Sequence, residues 1–225
     1  MKEEFWQERW ANNQLGWHQD QHNARLLKFW PQLELEAGGV AFVPLCGKSL
    51  DMHWLRAQGH RVYGVELAQT AVEAFWAEAG LQADYVEDFG GIACYNLGDA
   101  DSPDMRIYCG DFFELSAPHL YGTVGTFDRG ALVALPPEMR AMYADHIQRI
   151  IPERSEILLL TLEYDQDKVS GPPHSVEAAE VEALYGERCA IECLHREETG
   201  FVPPHFREHG IDHAAEAVYR IRKEE

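Results

Sequence analysis

The stretch Val40–Glu66, VAFVPLCGKSLDMHWLRAQGHRVYGVE, constrains this chain more than any other. Val40 to Leu45 is an almost unbroken apolar run, the pattern of a parallel strand covered on both faces. Cys46-Gly47 permits the close backbone turn into a helix. Leu50 to Ala57 supplies that helix, Gly59 ends it, and Arg61 to Val65 is the next strand. Glu66 follows Gly47 at about the interval at which an acidic residue meets ribose hydroxyls in nucleotide-binding α/β folds. The segment therefore reads as the first half of such a fold.

Three ligand classes share this strand, loop and helix plan. A dinucleotide site wants G-x-G-x-x-G, so that backbone can approach a pyrophosphate. Here the loop is P-L-C-G-K-S, with one glycine, which disfavours NAD and FAD. A P-loop wants a glycine five residues before the Gly of its Gly-Lys-Ser ending. That position is Phe42, inside the strand, so Gly47-Lys48-Ser49 is a decoy. S-adenosylmethionine is the third class. It offers a ribose diol to Glu66 and no phosphate needing a glycine-rich cradle, so one glycine admits it. The competing reading is an ordinary βαβ unit with Glu66 as a solvated strand end.

With 225 residues and 46% hydrophobic content, the chain suits one α/β domain with a substantial core. Its formal net charge of −19 repels phosphate backbones and anionic lipids, which argues against nucleic acid and membrane surfaces as partners. Five cysteines, Cys46, Cys94, Cys109, Cys189 and Cys193, are odd in number and lack a disulfide-framework spacing, pointing to a reducing cytoplasm. No signal peptide and no run of membrane-span length is evident.

Along the chain, Glu3 to Trp10 forms a short helix with Phe5, Trp6 and Trp10 on its apolar side. A second helix runs from about Asn23 to Leu35, and a third follows Glu66 and runs through Ala79, stopped by Gly80. Phe89 to Pro103 is rich in Gly, Asp and Asn and holds a hairpin or surface excursion. Met105 to Cys109, Val124 to Asp128 and Ile157 to Leu162 are strands, and Pro137 to Ile151 is an amphipathic helix. Gly171-Pro172-Pro173 marks a loop over the site face, and Ser175 caps a helix running from Val176 to Tyr185. Cys189 to Arg196 and Ala217 to Arg222 close the sheet in antiparallel sense.

Ligands of open α/β sheets bind outside the carboxyl ends of the strands. Those ends are Leu45-Cys46-Gly47, Glu66-Leu67, Gly110-Asp111-Phe112, Asp128-Arg129-Gly130 and Glu163-Tyr164. Asp111 and Phe112 suit an adenine amine and ring face; equally, Asp111 suits a helix cap and Phe112 the core. Asp128-Arg129 is either an internal ion pair or a source of positive charge for an anionic group.

FWQERW with GWH, FVPLCGKSLDMHWL, GHRVYGVEL, FDRGALVALP and GPPHSV together resemble the thiopurine S-methyltransferase family, from Phe5 to about Tyr219. The resemblance implies a Rossmann-like class I methyltransferase fold. Its sheet would be mostly parallel and seven-stranded, with helices on both faces and an antiparallel C-terminal strand. It implies a single domain over residues 1–225, with residues 1–35 as a helical segment covering the cofactor site. Methyl transfer from S-adenosylmethionine to the sulfur of aromatic and heterocyclic thiols, thiopurines among them, is the implied reaction. The bacterial branch adds selenium and tellurium species and tolerance to tellurite. Carried over by position, the cofactor contacts fall on Trp10, Leu45, Glu66 and Arg129, with Asp111 and Phe112 flanking the adenine. Trp17 falls on a substrate-side aromatic. A substrate-side arginine of animal members falls on His205 or, with a small shift, Arg207. Gly110-Asp111 stands where animal members have a Cys-Ser pair.

The implied reaction is an in-line displacement in which a thiolate attacks the sulfonium methyl. Heterocyclic thiols ionise near neutrality, so collinear positioning and exclusion of water outweigh a strong base. Arg129 is the candidate catalytic residue, binding cofactor and stabilising the substrate anion. Trp17 and Trp10 form an apolar lid, and His18 is either a proton acceptor or a hydrogen-bonded loop histidine. His205, His209 and His213 have the spacing of one helix face, but Pro203-Pro204 and Gly210 argue against a metal site there. Cys189 and Cys193 suit half-buried strand positions better than ligands, and Cys46 lacks a partner base for a nucleophile. The expected protein is a cytoplasmic monomer acting on a small-molecule thiol or chalcogen acceptor, without metal. The alternatives are a non-catalytic S-adenosylmethionine or nucleotide sensor, and a methyltransferase with a different small-molecule acceptor.

Overall fold

A computed structural model describes residues 3–199, 202 and 204–224. The chain divides into two compact units, one of Met1–Phe127 with Ile150–Pro152, the other of Asp128–Arg149 with Glu153–Glu225.

The first unit opens with α1 (Glu3–Ala11) and α2 (Ala24–Phe29). The Asn23 carboxamide oxygen accepts from the backbone N–H groups of Arg25 and Leu26, the expected start of the second helix. That helix is shorter than its apolar pattern suggests. Pro31 cannot donate, and the chain tightens into a 3-10 turn over Trp30–Leu33. Then follow β1 (Val40–Val43), α3 (Asp51–Ala57), β2 (Arg61–Glu66) and α4 (Gln69–Glu78). Next come β3 (Tyr85–Phe89), β4 (Ile92–Gly98), β5 (Pro103–Cys109) and β6 (Thr123–Arg129), the last two residues of β6 being counted with the second unit. Their order is β3-β4-β5-β2-β1-β6. β1 pairs in parallel with β2 and β6, and β2 in parallel with β5. The order reverses at β1, so the crevice beyond the end of β1 is the topological switch point at which such sheets bind ligands. All four residues of β1 are buried, as their continuous apolar run requires. The β3–β4 hairpin turns at Gly90-Gly91 and pairs antiparallel with β5.

The second unit carries α5 (Pro137–Ile150), β7 (Glu156–Glu163), α6 (Ala178–Tyr185), β8 (Cys189–Thr199), α7 (Pro204–Glu208) and β9 (Ala214–Lys223). β9 lies between β7 and β8, antiparallel to both.

Three expectations change. Nine strands are present among the described residues rather than seven, the additional pair being the β3–β4 hairpin, whose first strand precedes the Gly/Asp/Asn-rich segment and whose second lies within it. Ser175 is not a helix cap: α6 begins at Ala178, and the Ser175 hydroxyl accepts the Tyr164 backbone N–H at 2.9 Å. α7 ends at Glu208 and the chain turns at Gly210 (φ 74°), so His213 does not continue the helix of His205. The side chain of His205 and all of Pro203 lie outside the described residues.

Candidate active site

The loop beyond β1 is built on left-handed backbone. Leu45 has φ 47° and Gly47 φ 53°. A Cβ on Gly47 would stand 3.2 Å from Cζ2 of Trp10, so glycine is favoured both by conformation and by the indole lying over it. The Cys46 N–H donates to the Val65 carbonyl at 2.9 Å, laying the loop along β2. Gly64 makes room for this, since a Cβ there would meet Cys46 Sγ at 2.7 Å.

Glu66 closes the arrangement. Its Oε2 accepts the Gly47 N–H at 2.9 Å and its Oε1 the Ala68 N–H at 2.8 Å. Burial pushes its carboxyl above the usual range, against the opposing pull of the Ala68, Gly47 and Leu67 N–H groups. A carboxylate offers about four acceptor sites, so capacity beyond these N–H groups remains for a diol. The Glu66 carbonyl in turn accepts the Gly110 N–H at 3.0 Å, tying the end of β5 to the end of β2.

Trp6 and Trp10 of α1 both pack edge-on against Trp17, with ring centroids 5.2 and 6.0 Å apart. Asp111 is exposed and its Oδ1 accepts the Phe113 N–H at 2.9 Å, so the capping role is realised at a short 3-10 turn. Phe112 is buried. Tryptophan, glycine and the acidic strand end are thus drawn together within the first unit. Lys48 of the decoy motif pairs with Glu78 of α4. Cys46 is buried, and burial followed by the Glu66 charge holds its thiol well above the ordinary value, which disfavours the thiolate form a nucleophile needs. Cys189 is buried and Cys193 exposed on β8.

Arg129 and Arg207 belong to the second unit, Arg129 as the last residue of β6 and Arg207 exposed on α7. Beside Arg129, Asp128 is fully buried. Its Oδ2 accepts the Tyr143 hydroxyl at 2.7 Å and its Oδ1 the Leu132 N–H at 3.1 Å. Burial raises its carboxyl to about 6 despite these donors. Arg140, also on α5, is 1% exposed; it donates Nε to the Leu135 carbonyl and Nη1 to Ser175 O and to Glu180. Sequence reasoning missed Tyr143 and Arg140. The readable signal was an arginine placed three residues before Tyr143, four before Ala144 and seven before Ile147, on the apolar face of an amphipathic helix.

Among the described residues, no helix is long and apolar enough to cross a membrane. The family model for thiopurine S-methyltransferase matches residues 1–224. The chain is 44% identical over 223 residues to a thiopurine S-methyltransferase of Nitrosospira multiformis, covering 98% of each protein. A thiopurine S-methyltransferase of Bordetella petrii is 44% identical over 224 residues, with 100% of both covered. In fold, the chain is similar to an S-adenosylmethionine-dependent methyltransferase from Anabaena variabilis, with TM-score 0.64 and 13% identity over 98% of this chain and 94% of that one. It is also similar to the Burkholderia thailandensis 1,6-didemethyltoxoflavin-N1-methyltransferase solved with S-adenosylhomocysteine, with TM-score 0.63 and 16% identity over 99% and 87%. The fold is that of the S-adenosylmethionine-dependent methyltransferases, and the chain belongs to the thiopurine S-methyltransferase family.

Proposed function

We propose that this enzyme methylates the sulfur of aromatic and heterocyclic thiols, thiopurines among them, and that selenium and tellurium species are further acceptors. The observation that carries the cofactor half of this reading is the Glu66 carboxylate. It is held by the Gly47 and Ala68 N–H groups at the switch point of the sheet, with acceptor capacity to spare. The residues fit the cofactor: a Cβ at Gly47 would crowd the space beneath Trp10, and Glu66 matches a ribose diol. When bound, S-adenosylmethionine supplies a methyl group activated on a sulfonium.

In this reading Glu66 accepts the ribose hydroxyls, and Leu45 and Gly47 bring backbone close to the ligand. Asp111 and Phe112 flank the adenine. Trp10 and Trp17 exclude water from the reacting sulfur, which favours charge-neutralising displacement. Arg129 binds the cofactor and holds the substrate in its anionic form, the nucleophilic state of a thiol. Arg207 is the substrate-side cation. No dedicated base is needed for thiols already ionised near neutrality. The same reading makes the protein a cytoplasmic monomer with a role in tellurite resistance.

The test is a methyl-acceptor panel with labelled S-adenosylmethionine: 6-mercaptopurine, thiophenol, and selenium and tellurium oxyanions. S-methylated product with the thiols is expected. Intact cofactor binding without product on any acceptor would favour a sensor instead.

A further inference from the structure

α5 presents Arg140 and Tyr143 three residues apart, side by side on one helix face, and both reach the segment Asp128–Leu135. Tyr143 grips its start, donating its hydroxyl to Asp128 Oδ2 at 2.7 Å. Arg140 grips its end, donating Nε to the Leu135 carbonyl at 3.0 Å. Between them, Asp128 Oδ1 takes the Leu132 N–H across the turn in which Gly130 has φ 97°. Arg129 is the residue caught in this turn. Its backbone is fixed on one side by β6 and on the other by the Asp128 carboxylate, which is itself sealed from solvent. A surface turn needs no such anchorage; burying a carboxylate costs free energy that a loop of purely connecting function would not demand.

We propose that Tyr143 and Asp128 form a clamp that positions Arg129 for methyl transfer, so that both are positioning residues of this enzyme. This role rests on the assignment of Arg129 to the cofactor and substrate anion. The clamp acts by geometry: a displacement of about 1 Å at a group oriented for reaction can cost on the order of a hundredfold in rate. Asn at position 128 can keep both bonds, accepting from Leu132 and donating to the Tyr143 oxygen. Ala keeps neither.

The experiment measures kcat and KM on the full chain with a thiol acceptor for Tyr143→Phe, Arg129→Lys, their double variant, Asp128→Asn and Asp128→Ala. Folding is checked by thermal melting. Tyr143→Phe is expected to melt cooperatively and to lose about tenfold in kcat/KM. In the double variant the losses should not multiply, because Tyr143 acts through Arg129. Asp128→Asn should stay within about threefold of the parent, while Asp128→Ala falls at least tenfold further. Multiplying losses would overturn the clamp, as would a folded Tyr143→Phe of parental activity beside an impaired Arg129→Lys. If Tyr143→Phe does not fold, the Asp128 pair decides, and equal activity of Asn and Ala overturns the clamp. Parental activity of Arg129→Lys instead sinks the assignment of Arg129, which is a separable failure.

Discussion

Glu66 and Asp128 are both carboxylates at the carboxyl ends of strands, each bound by backbone N–H groups of the loop that follows, yet they are finished differently. Glu66 is left 7% exposed and is held by backbone N–H groups, those of Gly47 and Ala68 among them. Asp128 is 0% exposed, and its second oxygen is held by a side chain, the Tyr143 hydroxyl. Both oxygens of each acid accept a hydrogen bond, and what differs is access: an edge of Glu66 stays open to a ligand, while Asp128 is sealed inside the fold. Proximity to a strand end therefore does not make a ligand contact; access to the carboxylate and the kind of donor that holds it separate the two.

The contrast is tested most strongly at Glu66. Glu66→Ala removes the acceptor of the loop N–H groups and of the ribose, each charge-assisted bond being worth about 1.5–3 kcal/mol. The dissociation constant for S-adenosylmethionine should rise about a hundredfold or more by calorimetry, and unchanged affinity would collapse the distinction between the two acids.

Asp128 should declare itself in stability instead. Burial raises its folded carboxyl from 3.8 to about 6, so the folded state holds this proton more tightly than the unfolded chain. Its contribution is fully present below about pH 4 and is lost as pH rises through about 6. Urea unfolding across that window should show the decline in the parent and a flatter profile in Asp128→Asn. Identical slopes would mean that the carboxyl is not perturbed as its burial implies.

Gly47→Ala is a smaller perturbation of the first site. It places a Cβ on left-handed backbone, which costs about 1–2 kcal/mol, and crowds Trp10. Cofactor affinity should fall about tenfold; parental affinity would show that the indole does not define the loop. The smallest effect belongs to Lys48. Its partner Glu78 is 50% exposed, and pairs of that kind contribute about 0–1 kcal/mol. Lys48→Ala should change cofactor affinity less than twofold, whereas a large loss would restore the phosphate-loop reading that Phe42 excludes.

Much of this was legible in the sequence. The apolar run of β1, the punctuation by Gly47, Gly59 and Gly80, and the acidic residue closing β2 are local signals. Each is set by what one residue does to its own backbone or by a period of two or 3.6. The same signals marked α5, the β3–β4 hairpin region and the antiparallel closing strands. Asp111 illustrates a signal that was readable but ambiguous: its capping bond to Phe113 is local and was foreseeable, whereas an adenine contact depends on a ligand.

The sequence by itself thus determined the βαβ half-fold, the exclusion of phosphate-binding loops, and, through motifs spread along the chain, the family. Tertiary structure alone decided which polar side chains are spent inside the fold. Asp128 meets Tyr143 fifteen residues later, Arg140 meets Glu180 forty residues later, and Ser175 serves Tyr164 rather than a helix. Those pairings depend on where packed elements bring distant groups within about 3 Å, a condition that short-range backbone preference does not encode.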